Sequence, residues 1–421
     1  MKASDGMRLY SSLPKFEDAR TWAEIDLGAL KDNYEYLRDR VWNRADGAGV
    51  KRPEPICVVK ADAYGHGARG AVPVFIDGGC RFFAVSAIEE AVEIRNICLN
   101  RRCKARILIL GITLPALAAK LAEYDIITTL PSLEYAKRLS EAAVEAGVKV
   151  RAHVKLDTGM NRLGFAAYRE SDIEKTVGEI AECVKLRGIS VEGMFTHFAD
   201  ADDDSRDELR GTNLVQAERF FRVSKRLKNA GVKIPFCHIC NSAAALRFPK
   251  LGLDGVRLGI SLYGSRPSEA FEMPLKPVMA LKTKISHIHT LPAGERVSYG
   301  GRFSAESDRI LATLPIGYAD GFLRAYGGAR VRVASAQGEF DAPVVGRICM
   351  DQCMVDITEG MKFSPQVGDT VTLFGDSPER LYEIAEIADT IPYEVLCAVS
   401  SRVIRLYSSY PSENMKTATV N

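Results

Sequence analysis

Lysine rarely ends an apolar run, yet Lys60 directly follows Ile56-Cys57-Val58-Val59 and opens Ala61-Asp62-Ala63-Tyr64-Gly65-His66-Gly67. Because lysine is seldom buried without a partner, two readings stand. Desolvation lowers the pKa of an amine and equips it for Schiff-base chemistry with an aldehyde; alternatively, the side chain snorkels to solvent. A second group is Lys155-Leu156-Asp157-Thr158-Gly159-Met160-Asn161-Arg162-Leu163-Gly164. The guanidinium fork of Arg162 matches a carboxylate, such as that of an amino acid, or equally an ion pair with Asp157. His197, in Thr196-His197-Phe198-Ala199, fits packing or chemistry. Cys237-His238-Ile239-Cys240 has the Cys-x-x-Cys spacing of zinc and redox sites, but Cys349 and Cys353 do not supply a matching second pair. No metal site is expected.

These residues need a scaffold. Short apolar runs at Ile56–Val59, Phe82–Val85, Ile107–Leu110, Asp125–Thr128, Val150–Leu156, Val191–Phe195, Ile234–His238 and Gly255–Leu258 alternate with longer stretches. Those between them, such as Ile88–Ile97, Leu133–Ala146 and Gln216–Ala230, space their apolar residues as helices do. Strands alternating with helices predict an α/β fold, a TIM-like (β/α)8 barrel over residues 22–265. Beyond it the texture changes to alternating segments punctuated by Gly and Pro: Leu281–His289, Ile310–Leu314, Ala329–Val333, Pro343–Val345, Met354–Ile357 and Thr370–Phe374. Only Leu381–Ala388 reads as a helix there, so residues 266–410 are expected to form a mainly antiparallel β domain. Trp22–Leu27 reads as a lone strand before the first barrel helix, with the option of joining the β domain.

Hydrophobic residues make up 47% and charged residues 26% of 421 residues, and the net charge is only +2. That balance belongs to a globular chain with no electrostatic bias toward nucleic acid or membrane. No stretch approaches the roughly 18 apolar residues of a spanning helix, and the first 20 residues lack a signal-peptide pattern. Ten cysteines scattered through apolar runs suit a reducing compartment, so a cytoplasmic location is expected.

The string Val58-Val59-Lys60-Ala61-Asp62-Ala63-Tyr64-Gly65-His66-Gly67 resembles the cofactor-attachment motif of the alanine racemase family, which uses pyridoxal 5'-phosphate, and further motifs recur in order from about Trp22 to Tyr407. The resemblance implies that Lys60 carries the cofactor covalently and that Tyr64 touches its phosphate. Asn241 and Ser242 fall on phosphate-binding positions, where a hydroxyl at a loop-to-helix junction suits an anion. Gly259 and Ile260 match backbone N–H donors to phosphate, and His197 matches an imidazole packed on the cofactor ring. Arg162 matches an arginine for the substrate carboxylate, steadied by a carbamylated lysine that Lys155 resembles. Arg257 matches the residue facing the pyridine nitrogen. A guanidinium donates hydrogen bonds without giving up its proton, so the ring would stay unprotonated and transamination would be discouraged.

In the β domain, Tyr299 of Val297-Ser298-Tyr299-Gly300 matches the family's second base. Racemisation needs one group to take the α-proton from one face and another to return it on the other. A phenol titrates near ~10 in water, so it needs cationic neighbours for that role. Met350 matches a backbone donor to the substrate carboxylate, Tyr393 a phosphate contact that narrows the pocket toward alanine, and Asp202, Tyr318, Arg324 and Ile391 an access corridor. The implied protein is a homodimer with shared sites that interconverts L- and D-alanine, the latter for peptidoglycan. Rival readings are a serine or broad-specificity racemase, disfavoured by Tyr393, and a non-catalytic cofactor carrier, which would lack the β domain.

Overall fold

The computed structural model describes residues 19–201, 211–267 and 272–408. The chain divides into two units, Leu30–Leu275 and a second made of residues up to Ala29 together with those from Lys276 onward.

The first unit is a parallel barrel. Glu54–Val58, Phe82–Val85, Arg106–Ile109, Ile127–Leu130, Val150–Asp157, Ile189–Phe195 and Phe236–His238 pair in chain order, and Gly255–Leu258 pairs with the first of them. The remaining seam is bridged by Asp254 N–H to Cys237 O at 3.0 Å and Arg257 N–H to Cys240 O at 3.0 Å. Strands buried on both faces read as unbroken apolar runs, and every residue of Phe82–Val85 and Ile127–Leu130 is buried. The fourth strand begins two residues later than expected because Asp125 turns the chain with φ 48°. Helices such as Leu133–Glu145 cover the barrel, capped by Ser132 Oγ, which accepts from Tyr135 N–H at 3.2 Å. Its buried Ala136, Leu139, Ser140 and Ala143 follow helical spacing.

The second unit holds a nine-stranded sheet in the order His287–Leu291, Arg309–Leu314, Cys353–Asp356, Gly338–Val345, Arg330–Ser335, Thr370–Phe374, Met279–Lys284, Thr21–Ile25, Ile404–Tyr407. Its pairs are antiparallel except Thr21–Ile25 with Ile404–Tyr407. Thr21–Ile25 is therefore not a lone strand: it sits between two strands from the far end of the chain. Leu281–His289, read as one strand, is two. Met279–Lys284 pairs with Thr370–Phe374 and His287–Leu291 with Arg309–Leu314, so the chain changes partners at Ile285-Ser286. A second helix, Pro392–Ala398, also departs from the expectation of one; seven residues are too few for helical periodicity to register, and Pro392 serves as a helix start rather than a breaker. Among the described residues no helix is long and apolar enough to cross a membrane, and no three His, Cys, Asp or Glu side chains cluster as metal ligands.

Candidate active site

Parallel strands deliver the residues that follow them to one end of the barrel. Lys60, Tyr64, Arg162, His197, Asn241, Ser242, Gly259 and Ile260 all follow strands, whereas Lys155 and Arg257 lie within them. At that end Asn241 caps the helix Ser242–Arg247, its Oδ1 accepting from Ala244 N–H at 2.9 Å. Gly259 N–H donates to Ser242 Oγ at 3.1 Å. A Cβ on Gly259 would meet Tyr64 Oη at 3.0 Å, so the phenol, the serine hydroxyl and the loop at 259–260 share one polar space that glycine keeps open. Tyr64 is itself packed on Tyr263, ring centroids 4.9 Å apart, and Tyr263 Oη donates to Val58 O at 3.0 Å. Hydroxyls around a loop-to-helix junction suit a phosphate.

Lys60 is half-buried and starts an unusual turn. Ala61, Asp62, Ala63 and Tyr64 have φ of 51°, 51°, 55° and 54°, the left-handed helical region. This conformation costs L-residues roughly 1–2 kcal/mol each, so it persists only where surrounding bonds impose it. Ala63 N–H donates to Val59 O at 3.0 Å and Gly67 N–H to Asp62 O at 2.9 Å. Asp62 Oδ1 accepts from Ala68 N–H at 2.6 Å, and Glu90 Oε1 from Ala61 N–H at 2.7 Å.

Arg257 is buried. Its Nη1 donates to His238 Nδ1 at 2.8 Å and His238 O at 3.1 Å; its Nη2 donates to Thr196 O at 2.8 Å, Ile239 O at 3.0 Å and His197 Nδ1 at 3.3 Å. Burial lowers its pKa to about 10, which leaves it charged near neutrality. Burial, then the positive charge of Arg257, pushes His197 and His238 well below the usual histidine range, so both are neutral. Since a guanidinium only donates, Nδ1 of each imidazole accepts and each proton resides on Nε2. His238 Nε2 then donates to His153 Nδ1, 3.1 Å away, and His153 is also held neutral by burial, at about 3. Among the described residues, Nε–H is the one edge of Arg257 left for a ligand.

Lys155 is buried, its Nζ donating to Leu156 O at 3.0 Å and lying 5.4 Å from the Phe195 ring centroid. Burial first, then Arg257, lowers its pKa to about 7; Asp157 opposes this and Arg162 adds to it. Arg162 is exposed at the rim. Asp157 Oδ1 accepts from the N–H groups of Gly159 at 3.1 Å and Asn161 at 3.0 Å, and no described ion pair joins it to Arg162. Arg257, Lys155, Arg162 and Lys60 all act on His197 electrostatically, so four basic side chains gather there.

In the β unit, Tyr299 stands 70% exposed on the turn between Arg296–Val297 and Phe303–Ser304. The turn is fixed from behind: Val297 packs with Leu311 and Val345, and Ser298 Oγ donates to Arg347 O at 2.7 Å. Met350 lies with Arg347 on the loop between Gly338–Val345 and Cys353–Asp356, half exposed, with no acceptor for its N–H among the described residues. Tyr318 N–H donates to Cys349 O at 3.1 Å and Ala319 N–H to Met350 O at 3.0 Å, which ties the loop at 317–321 to the same place. Buried Asp320 pins that loop, accepting from Gly317 N–H at 3.0 Å and pairing with Arg20 at 2.7 Å and Arg402 at 3.3 Å; Arg402 also holds Asp351 at 2.9 Å. Gly321, at φ 100°, lies against Ala398 O, where any side chain would overlap it. That contact docks the helix Pro392–Ala398, whose start carries exposed Ile391 and half-buried Tyr393. Arg324 is exposed nearby in chain. Asp202 lies outside the described residues.

Residues 25–267 match the family model "Alanine racemase, N-terminal domain", and residues 278–407 match "Alanine racemase, C-terminal domain". The chain belongs to the alanine racemase family. It is 42% identical to alanine racemase 1 of Clostridium acetobutylicum over 393 residues, 92% of this chain and 95% of that protein. The solved alanine racemase of Clostridium difficile 630 superposes with a TM-score of 0.82 at 38% identity, covering 93% of this chain and 96% of that one. The alanine racemase of Bacillus anthracis with bound L-Ala-P gives 0.80 at 30% identity, covering 94% and 96%. The Clostridium difficile protein has also been solved in complex with cycloserine.

His153, His238 and Glu90 were not singled out from the sequence as site residues. His153 had a signal: with Lys155 and Asp157 it alternates along one strand and so shares a face with them. Glu90 had none, since its link to Ala61 joins positions 29 residues apart.

Proposed function

We propose that this chain interconverts L- and D-alanine with pyridoxal 5'-phosphate held on Lys60. The carrying observation is the convergence, at one barrel mouth, of Lys60, the Tyr64–Ser242–Gly259 cradle and the free Nε–H of Arg257. The donor set fits the cofactor: a cradle that a Cβ would fill suits its phosphate, and an obligate donor suits its ring nitrogen. Bound there, the cofactor supplies an electron sink that acidifies the substrate α-proton.

The residues divide the remaining work. Lys60 moves the proton at Cα on one face and Tyr299 on the other. Arg162 and the Met350 N–H orient the substrate carboxylate. Arg257 keeps its own proton, which limits how far the sink draws charge and so favours return of the α-proton over side reactions. His197 would pack on the cofactor ring, Asn241 and Ile260 would complete the phosphate site, and Tyr393 would narrow the pocket toward a methyl side chain. Tyr318, Arg324 and Ile391 would line the access corridor. Lys60 and Tyr299 belong to different units, and Tyr299 is exposed on its own; we propose a homodimer in which each site takes Lys60 from one chain and Tyr299 from the other. D-Alanine made this way would serve peptidoglycan synthesis.

A chiral assay of the purified, cofactor-loaded protein against a panel of L-amino acids tests the reading. L-Alanine should be converted to the racemate well ahead of L-serine. Turnover of other amino acids in preference to alanine, or none of any, would overturn it.

A further inference from the structure

We infer that Glu90 is a positioning residue for Lys60, holding the left-handed turn that aims the amine; this rests on Lys60 being the cofactor-bearing lysine. The strand Glu54–Val58 delivers the chain to Lys60, and at Ala61 the backbone switches to φ 51°, staying left-handed through Tyr64. The peptide group joining Lys60 to Ala61 sits at this change of hand, so fixing it fixes the backbone from which the Lys60 side chain leaves. The N–H of that peptide, at Ala61, donates to Glu90 Oε1 at 2.7 Å.

Glu90 comes from the neighbouring barrel segment. It follows the strand Phe82–Val85, which pairs with the Lys60 strand through Cys57–Phe83 and Val58–Ala84. Its other oxygen, Oε2, accepts from Ser86 N–H at 2.7 Å and Ala87 N–H at 3.3 Å. One carboxylate therefore clamps the loop after the second strand to the turn after the first. A carboxylate at the third position of the helix Ile88–Asn100 explains the Ala87 bond as ordinary capping. Capping does not require the bond to Ala61, which lies outside that helix. Asp62 closes the far side through Ala68 N–H at 2.6 Å, so both ends of the left-handed stretch are held by carboxylates.

The test uses cofactor-loaded Glu90→Ala and Glu90→Gln, with Glu89→Gln as the control. Glu89 is exposed in the same first helical turn and has no described bond to Ala61. Misplacing a reacting group by about 1 Å costs on the order of 100-fold in rate. Glu90→Ala should therefore lower kcat by roughly 10- to 100-fold, with KM for alanine little changed. The pH titration of the cofactor's visible absorbance should shift, and borohydride should trap less cofactor on Lys60. Glu90→Gln keeps a carbonyl acceptor and should recover part of each loss, which also serves if Glu90→Ala folds poorly. Glu89→Gln should match wild type. If both Glu90 variants lose melting temperature only, with wild-type kcat, absorbance titration and trapping, Glu90 is a helix cap and the inference falls. If borohydride places the cofactor on another lysine in the wild-type protein, the assignment of Lys60 falls instead.

Discussion

Lys155 should carry carbon dioxide as a carbamate, and its occupancy should track pH around neutrality. Burial, reinforced by Arg257 and Arg162 and opposed by Asp157, brings its pKa from 10.5 to about 7. About half of the amines are then neutral at pH 7, against roughly 0.03% for an unperturbed lysine, an enrichment of about 1,500-fold in the form that attacks CO2. At pH 6 the neutral fraction drops to about one-tenth. The product exchanges a buried cation beside two arginines for an anion, turning repulsion into attraction. The unmodified lysine also affects folding. The unfolded chain holds this proton up to about 10.5 and the folded chain only to about 7, so stability from this group rises with pH across that window and its penalty is fully present below it. Carbon-13 NMR after equilibration with labelled bicarbonate should give a carbamate resonance that grows from pH 6 to pH 8 and is absent in Lys155→Ala. Depleting CO2 should raise KM for alanine as Arg162 loses its partner. No carbamate signal at any pH between 6 and 9 would refute the reasoning.

Gly259→Ala should weaken cofactor binding at least about tenfold, because its Cβ would press on Tyr64 Oη at 3.0 Å; a fluorescence titration reads this, and unchanged affinity counts against the cradle. Arg257→Glu should slow racemisation and raise pyruvate formation from alanine, since a carboxylate can share a proton where Arg257 only donates; a fall in racemisation without pyruvate would remove that role. Mixing Lys60→Ala with Tyr299→Phe chains should restore activity toward about a quarter of wild-type sites under random pairing, and no recovery despite demonstrated heterodimers would rule out shared sites. Asp320→Asn should cost about 1–3 kcal/mol, since two arginines and Gly317 N–H lose their shared carboxylate, and an unchanged melting temperature would contradict this.

The barrel was legible because its strands are buried on both faces and therefore continuous in the sequence, and because Lys60, Thr196-His197 and Asn241-Ser242 are the polar residues that soonest follow such runs. The sheet of the second unit was less so. Thr21–Ile25 pairs with Met279–Lys284 and Ile404–Tyr407, partners more than 250 residues away that no local pattern announces. Leu281–His289 kept strand-like composition through Ile285-Ser286, although the chain changes partners there. At the site, residue types and motif positions were readable, but their coupling was not. The path from Arg257 through His238 to His153 joins three strands of the barrel, and Glu90 reaches Ala61 from the first turn of a separate helix.

That coupling bears on which group can set a pH profile. Arg257, at about 10, stays charged through the neutral range, and its partners His197 and His238 stay neutral because burial and the guanidinium both oppose a second positive charge. The ring-nitrogen end of the site is thus an electrostatically constant donor through the neutral range: none of its three side chains changes charge appreciably between pH 6 and pH 8. Lys155 is the exception among its neighbours, with its transition at about 7. If it is carbamylated, the gain of a negative charge beside Arg162 accompanies rising pH and strengthens the grip on a substrate carboxylate. A neutral-pH limb in kcat/KM that disappears in Lys155→Ala, while the absorbance of the bound cofactor stays constant over the same range, would locate that limb at the substrate carboxylate rather than at the ring nitrogen.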